Sequence, residues 1–396
     1  MRKTIGSKLF IYMAGSALVG LGSMSFFFYR TLEKRATAEI QGSLSTEVRS
    51  IEGELKQVQQ SMSDMSAVVS VLHDQGQSDS ERYKQIAFSF FKTKSPLITG
   101  IGFGQTPYKL VSDRQWYWPY FLVDKKVPGL IGTNLPAPNQ DIRYADVTSD
   151  QYDNKPYYLD VLNAKGNIWL EPYEWYGLTL TTHTGPMLNA KKEVIGIAGI
   201  DMSITALSQR IQTPKNWGDG YFSILSEKGN LLVYPPDEKK AKALATYKDI
   251  PHLKELWETI HNKPQSQSES PSKLRGILRS EDKYWAYEQV QGSNWIMLAA
   301  VPKSVVLGPM MMITLGGALG AGAILAIATA IFVRQLNQRL EPILEECNNL
   351  AKNDAQRFQR LQGADTTGSI QQIEIPDQTK SSRSSQHSKK KTNSMS

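Results

Sequence analysis

Leu315-Gly316-Gly317-Ala318-Leu319-Gly320-Ala321-Gly322-Ala323-Ile324-Leu325-Ala326-Ile327-Ala328-Thr329-Ala330-Ile331-Phe332-Val333 contains no charged residue and stops at Arg334. It closes an uncharged run of 30 residues, Ser304 to Val333, that starts after Lys303. A helix crosses the hydrocarbon core of a bilayer with about 20 apolar residues. The run therefore predicts a membrane span, placed at 307–333, whose regular helical core is expected to begin after Pro309. A second uncharged run, Leu9 to Tyr29, has 21 residues between Lys8 and Arg30 and predicts another span at 9–29. A cleaved signal peptide is the competing reading of this first run. Its apolar part is too long for one, and no small-residue cleavage site follows Phe26-Phe27-Phe28-Tyr29.

Orientation follows from the flanking bases. Arg2, Lys3 and Lys8 precede the first span, and Arg334, Arg339, Lys352, Arg357 and Arg360 follow the second. The positive-inside tendency places both termini in the cytoplasm and the 31–303 segment outside the inner membrane. Arg30, Lys34 and Arg35 pull the other way, but long loops translocate largely regardless of charge. The single cysteine of the 396 residues, Cys347, excludes an internal disulfide and lies beyond the second span. Gly316 and Gly320 form a small-xxx-small face on that span, open both to a helix–helix contact and to compositional chance.

Outward from the spans, the pattern changes twice. Ile40, Leu44, Val48, Ile51, Leu55, Val58, Met62, Met65, Val69 and Leu72 recur in steps of three and four, the narrow apolar seam of a long helix over 30–80. The seam suits packing on the chain's own domain or pairing of two copies as a homodimer, and both remain open. From Ile98 the segments are β-rich and punctuated by Gly, Pro and Asn. Strands are expected at Ile98–Phe103, Gln115–Val123, Ile168–Tyr173, Leu178–Thr184 and Val194–Asp201, then a helix at Ser203–Ile211. After a linker at Pro214–Gly220 come strands at Tyr221–Leu225, Leu231–Tyr234, Tyr284–Gln289 and Trp295–Val301, with a Ser/Gln/Pro loop at Lys263–Lys273. The fold class is α+β: a long helix, then two antiparallel-sheet modules at 81–213 and 214–306.

This order of features resembles the double Cache sensor family of bacterial transmembrane receptors. The resemblance rests on Lys155-Pro156-Tyr157-Tyr158, on Trp169-Leu170-Glu171-Pro172-Tyr173 and on Val194 to Ser203 with its strand-terminal Asp201. It continues through Gly220 to Leu225 with Gly229 in the next turn, and through Trp295 to Pro302, and covers 30–306. It implies two tandem Cache (PAS-like) modules with the ligand in the membrane-distal one. It also implies signal transduction on a small molecule of carboxylate or amino-acid type, and a chemoreceptor-like, dimeric membrane protein. The ligand-binding residues so implied are Lys155, Tyr157, Tyr158, Tyr173, Trp175 and Asp201. In amino-acid-binding members an Arg and aromatics hold the ligand carboxylate and acids hold its amine. Here Lys155 stands at the Arg position and Trp175 where an acid is expected, so both grips are altered.

The residues also read on their own chemistry. Lys155 offers an ammonium to an anion, the tyrosines offer ring faces and hydroxyls, and Asp201 offers an acceptor to an amine. Each has an ordinary alternative: an exposed loop lysine, core aromatics, an Asp capping the following helix. His183 either lines the pocket or is a satisfied core or surface histidine. The cluster Arg114 to Trp118 reads mainly as packing. The five histidines are scattered, no phosphate loop or nucleophile elbow occurs, and neither enzyme chemistry, metal nor cofactor is expected. A short basic tail beside a membrane points to anionic lipid and not to nucleic acid. Leu340-Glu341-Pro342-Ile343 and Ala351-Lys352-Asn353-Asp354 resemble the first helix of a HAMP relay over 334–362, with a disordered tail at 363–396. No recognisable signalling domain follows in this sequence, which leaves two readings open: a cytoplasmic partner acting in trans, or a shortened relative of a larger receptor. An envelope binding or scaffold protein without signalling output is the alternative function.

Overall fold

A computed structural model describes residues 5–123, 132–164, 166–262 and 274–364. The expected loop at 263–273 and almost all of the tail from 363 onward lie outside the described residues. The chain divides into two compact units, 1–18 with 322–396, and Val19–Ala321. The sheets and the candidate site all belong to the second. Helix α1, Ile5–Asp74, and helix α7, Lys303–Ala364, each contain a stretch long and apolar enough to cross a membrane. α7 starts at Lys303, ahead of Pro309, and runs through that residue instead of beginning after it.

α1 ends where Gly76 adopts a left-handed conformation, φ +78°. The Gln77 N–H then reaches Leu72 O at 3.0 Å and the Gly76 N–H reaches His73 O at 2.9 Å, a Schellman closure. The seam from Ile40 to Val69 is spent inside the chain: its members keep 3% or less of their surface exposed and join the core of both sheets. Of the two readings left open for it, internal packing is the one realised. Each such aliphatic contributes roughly 1.5–3 kcal/mol by leaving water. Polar bonds fix the register of helix on sheet. Ser45 Oγ donates to Glu288 at 2.6 Å, Gln59 Nε2 donates to Gly292 O at 3.1 Å, and Asp74 accepts from the Ala190 N–H at 2.9 Å.

The first sheet has eight antiparallel strands: β1 Ile98–Gln105, β2 Pro119–Val123, β3 Thr133–Asn134, β4 Ile142–Asp146, β5 Ile168–Trp169, β6 Tyr173–Trp175, β7 Leu178–Leu188 and β8 Val194–Ser203. Their order is β3-β4-β2-β1-β8-β7-β5, with β6 also on β7. Helices α2 (Ser80–Lys92), α3 (Pro156–Ala164) and α4 (Ile204–Arg210) accompany it. The second sheet is antiparallel and ordered β10-β9-β13-β12-β11. Its strands are β9 Tyr221–Leu225, β10 Leu231–Val233, β11 Arg275–Arg279, β12 Lys283–Val290 and β13 Trp295–Pro302, with helices α5 (Glu238–Lys242) and α6 (Pro251–Asn262).

Two expected strands are altered. Ile168–Tyr173 splits into β5 and β6 because Pro172 offers no N–H to the ladder. Gln115–Val123 becomes a strand only from Pro119. Upstream, the Gln105 side chain donates to the carbonyls of Arg114 at 2.8 Å and Gln115 at 3.0 Å, bonds to a side chain in place of a regular strand ladder. Helix α2, with Asp79 as its N-cap, lies where no element was expected.

Candidate functional site

The site forms on the face of the first sheet away from α1. On β1 the alternation is Gly100, Gly102, Gly104 on one side and Ile101, Phe103 on the other. A Cβ on the three glycines would stand 1.7 Å from the Tyr120 hydroxyl, 2.6 Å from Trp118 Nε1 and 2.1 Å from Trp118 Cε3. The strand thus gives up three side chains so that two rings lie flat on its backbone.

Above this floor, Trp118, Tyr120, Tyr157, Tyr173, Trp175, Val147, Thr182, Thr184, Gly199 and Asp201 enclose a cage of about 30 Å³. Its rings meet edge to face, Tyr120 with Trp175 at 5.3 Å and Trp118 with Tyr157 at 5.6 Å between centroids, the geometry that ring quadrupoles favour. At its base Asp201 is buried. Tyr120 OH donates to Asp201 Oδ2 at 2.5 Å and Thr182 Oγ1 donates to Oδ1 at 2.6 Å. The Tyr173 hydroxyl bonds the Thr182 hydroxyl at 2.8 Å and completes the relay. Burial pushes the Asp201 carboxyl up from its ordinary range, opposed by its bonds from Thr182 and Tyr120. Burial, then the neighbouring Asp201 charge, raises the Tyr120 phenol well above its usual value. Among the described residues no cation lies against Asp201 in an ion pair or cation–π contact.

A second carboxylate closes the outer wall. Asp150 Oδ2 accepts from Tyr157 OH at 3.1 Å and from Trp175 Nε1 at 3.2 Å. Its Oδ1 accepts from Tyr176 OH at 3.1 Å and lies 3.8 Å from Lys155 Nζ. Beyond this wall lies a cleft of about 980 Å³ bounded by Lys155, Tyr157, Tyr173, Trp175, Glu171 and, from the second sheet, Lys228 and Asn294. The cleft is the larger space, and the cage holds the buried Asp201 carboxylate and the converging hydroxyls.

The sequence-derived residues divide between these places. Tyr157, Tyr173 and Trp175 border both cavities, Lys155 only the cleft, Asp201 only the cage. Tyr158 borders neither: it sits in the core behind the wall, 5.4 Å from the Tyr152 ring and 6.3 Å from that of Trp116. His183 points to the opposite face of β7 from Thr182 and Thr184, as strand alternation requires. There it lies against Trp169 at 4.8 Å with neither ring nitrogen bonded, and burial pushes its pKa down to about 4. Trp118, which read mainly as packing, is cage wall. Asp150, Tyr120 and Thr182 were missed, and β7 alternation through Thr182 was the available signal. Among the described residues no group of three His, Cys, Asp or Glu is placed to hold a metal ion.

Residues 28–310 match the Cache domain, in its double form. The chain belongs to this family. Cache domains are sensory modules, and the long helix followed by antiparallel sheets in this chain matches their fold. A methyl-accepting chemotaxis protein of Pseudomonas putida, McpG, is 30% identical over 98 residues, 24% of this chain and 15% of McpG. McpC of Bacillus subtilis, likewise a methyl-accepting chemotaxis protein, is 25% identical over 183 residues, 44% of this chain and 28% of McpC. The matches thus span less than a third of either relative. The extracellular domain of mmHK1S-Z2, named as a histidine kinase, aligns with TM-score 0.54 at 16% identity, over 69% of this chain and 99% of that one. It shows the same fold. Two apolar helices flanking a Cache region are consistent with an inner-membrane protein whose sensor is extracytoplasmic.

Proposed function

We propose that this chain is a transmembrane receptor whose distal Cache module binds a small cationic amine and passes the event through the second span. The observation that carries the ligand class is Asp201. A carboxylate at the base of a ring-walled cage, held by two hydroxyls and facing no cation among the described residues, is complementary to an ammonium group. Desolvated aromatic faces add cation–π attraction of about 2 kcal/mol or more. The carboxylate grip that the family resemblance implied would have to come from Lys155, whose ammonium is outside the cage and engaged by Asp150. That favours an amine over a carboxylate as the recognised group. The cage as it stands holds about two waters. A larger ligand opens the wall latched by Asp150, which is a ligand-dependent movement at the border of the two modules.

The receptor reading further includes two spans with both termini cytoplasmic, a homodimer, contact of the basic segments with anionic lipid, and a signalling partner in trans. With α1's seam buried in its own modules, dimer contacts fall to its other faces or to the spans. The test is a thermal-shift titration of the full chain in detergent with small ammonium compounds and, separately, small carboxylates. A ligand that binds only the native state raises the melting temperature. Amines are expected to raise it and carboxylates to leave it unchanged; a response to carboxylates alone would sink the amine reading.

A further inference from the structure

We propose that the membrane-facing rim of the second sheet docks on anionic phospholipid headgroups of the extracytoplasmic leaflet, through bases of α1, the β11–β12 hairpin and the start of α7; this rests on the two-span reading above. Arg30, Lys34 and Arg35 directly follow the first uncharged run. They lie on the side where the positive-inside tendency calls for no bases, so orientation does not account for them. Internal pairing does not account for them either. All three are exposed, and among the described residues neither they nor Lys303 has an ion-pair partner. Glu33, between them in sequence, is instead buried against the sheet. It accepts from Tyr284 OH at 2.9 Å and lies 3.3 Å from Arg279 Nη1.

The fold gathers these bases at one level. Arg279 ends β11, and its side chain is 55% exposed although it reaches Glu33. The turn that follows meets the start of α7, where the Lys303 N–H donates to Asp282 O at 2.8 Å. Lys283 is the register partner of Pro302, and Lys303 is the last residue before the second uncharged run. One hairpin is thereby tied to the outer ends of both spans. The linker ahead of β9 joins it, since a Cβ on Gly218 would stand 3.2 Å from Val305 Cγ2 in the first turn of α7. A helix rises 1.5 Å per residue, which puts Arg30, Lys34 and Arg35 about 2, 8 and 9 Å beyond Tyr29. The headgroup layer is about 5–8 Å deep, and charges are screened over about 8 Å at physiological salt. Arg30 lies over the Phe26 ring, 5.3 Å from its centroid and one turn back inside the run, which sets its charge at the edge of the hydrocarbon. The exposed acids of the turn, Glu281 and Asp282, are fewer than these bases. Unpaired bases at the depth of lipid phosphates are complementary to headgroups of net negative charge, whereas a zwitterionic headgroup brings its own cation. Each such base strengthens attachment to an anionic surface roughly fivefold.

A fluorophore at the rim tests this in the full chain. Asn216→Cys places it on the exposed linker, in a Cys347→Ser background that leaves no other thiol. The labelled chain is reconstituted in phosphatidylcholine nanodiscs carrying a trace of headgroup-nitroxide lipid, either phosphatidylglycerol or phosphatidylcholine, and quenching reads which lipid collects at the rim. Phosphatidylglycerol is expected to be enriched about fivefold or more. Arg30→Gln, Lys34→Gln and Arg35→Gln together should bring the enrichment to within about twofold of none. Raising salt to about 1 M, where charges are screened within about 3 Å, should do the same in the unaltered rim and carries the test if the triple variant does not fold. No enrichment, or enrichment that survives both the triple variant and high salt, overturns the proposal. The same cysteine checks the reading beneath it, for a membrane-impermeant maleimide should label Asn216→Cys from outside spheroplasts. No labelling there would reject the two-span orientation and this proposal with it; labelling without lipid enrichment would reject the lipid contact alone.

Discussion

Lys155 Nζ stands 3.8 Å from Asp150 Oδ1, and the same carboxylate holds the hydroxyl of Tyr157 and the indole N–H of Trp175. The residue that sequence alone marks as an anion receptor is thereby part of the latch over the cage. Lys155 is 41% exposed, so the ion pair is screened by solvent and contributes little by itself. Lys155→Met is accordingly expected to leave amine affinity unchanged or tighten it up to about threefold, since a repelling charge near the approach is lost. A drop of tenfold or more in calorimetric affinity would return Lys155 to the ligand.

Asp201 sets the pH response. Its folded-state pKa is raised, chiefly by burial. A carboxyl raised on folding stabilises the fold fully below its unfolded pKa, and that contribution is lost as pH rises through the folded value. Ligand binding runs the other way, because the ammonium needs the carboxylate form. Amine affinity should fall as pH drops through the raised Asp201 pKa, beginning above the ordinary aspartate range. Asp201→Asn should remove both effects: melting temperature at neutral pH equal to or above that of the wild type, and no amine-induced shift. An Asn variant that melts lower and still responds to amine would contradict this assignment.

Much of this fold was legible in the sequence because its signals are periodic. The seam of α1, the alternation of β7 and β8 and the two uncharged runs each carry a repeat that physics reads directly. The site was less legible. Asp150 lies at the end of a short 3-10 turn, Val147–Asp150, where no periodicity marks a side chain that will gather four partners. Tyr120 and Trp118 looked like core aromatics, and only the glycines of β1, opposite them in the sheet, show that their rings lie over a backbone floor. For His183 a single step of alternation decided between the two readings, because in a strand one position determines which face is reached, and it lies in the core against Trp169.

The seam offers a direct check on helix packing. Leu55→Ala, at a fully buried position of α1, removes methyl groups from the core that both sheets share. It is expected to destabilise the chain by roughly 2–5 kcal/mol in denaturant unfolding. Cysteines placed at Ile51 or Val58 should give no cross-link between chains, because those positions are covered within one copy. Efficient intermolecular cross-linking at either position would mean that α1 pairs between copies instead.

Glu171, which sits between β5 and β6, ties the first sheet to the second. Its carboxylate accepts from the Ser226 hydroxyl, from Asn230 Nδ2 at 2.7 Å and from the Lys228 N–H at 3.2 Å, all in the turn between β9 and β10. Two residues further on, Tyr173 bonds the Thr182 hydroxyl that holds Asp201, so in the proposed receptor a movement of the cage wall would pull on this clasp. Bonds to a charged acceptor contribute about 1.5–3 kcal/mol each when partly buried, and losing the carboxylate frees the turn. Glu171→Ala should leave amine affinity within about threefold of wild type, because the cage keeps every contact. Amide exchange at Lys228–Asn230 should rise, and the ligand-dependent change in protection there, expected in the wild type, should disappear. An unaltered ligand response at that turn in Glu171→Ala would show that the modules communicate by another route, with the packing along α1 as the remaining connection.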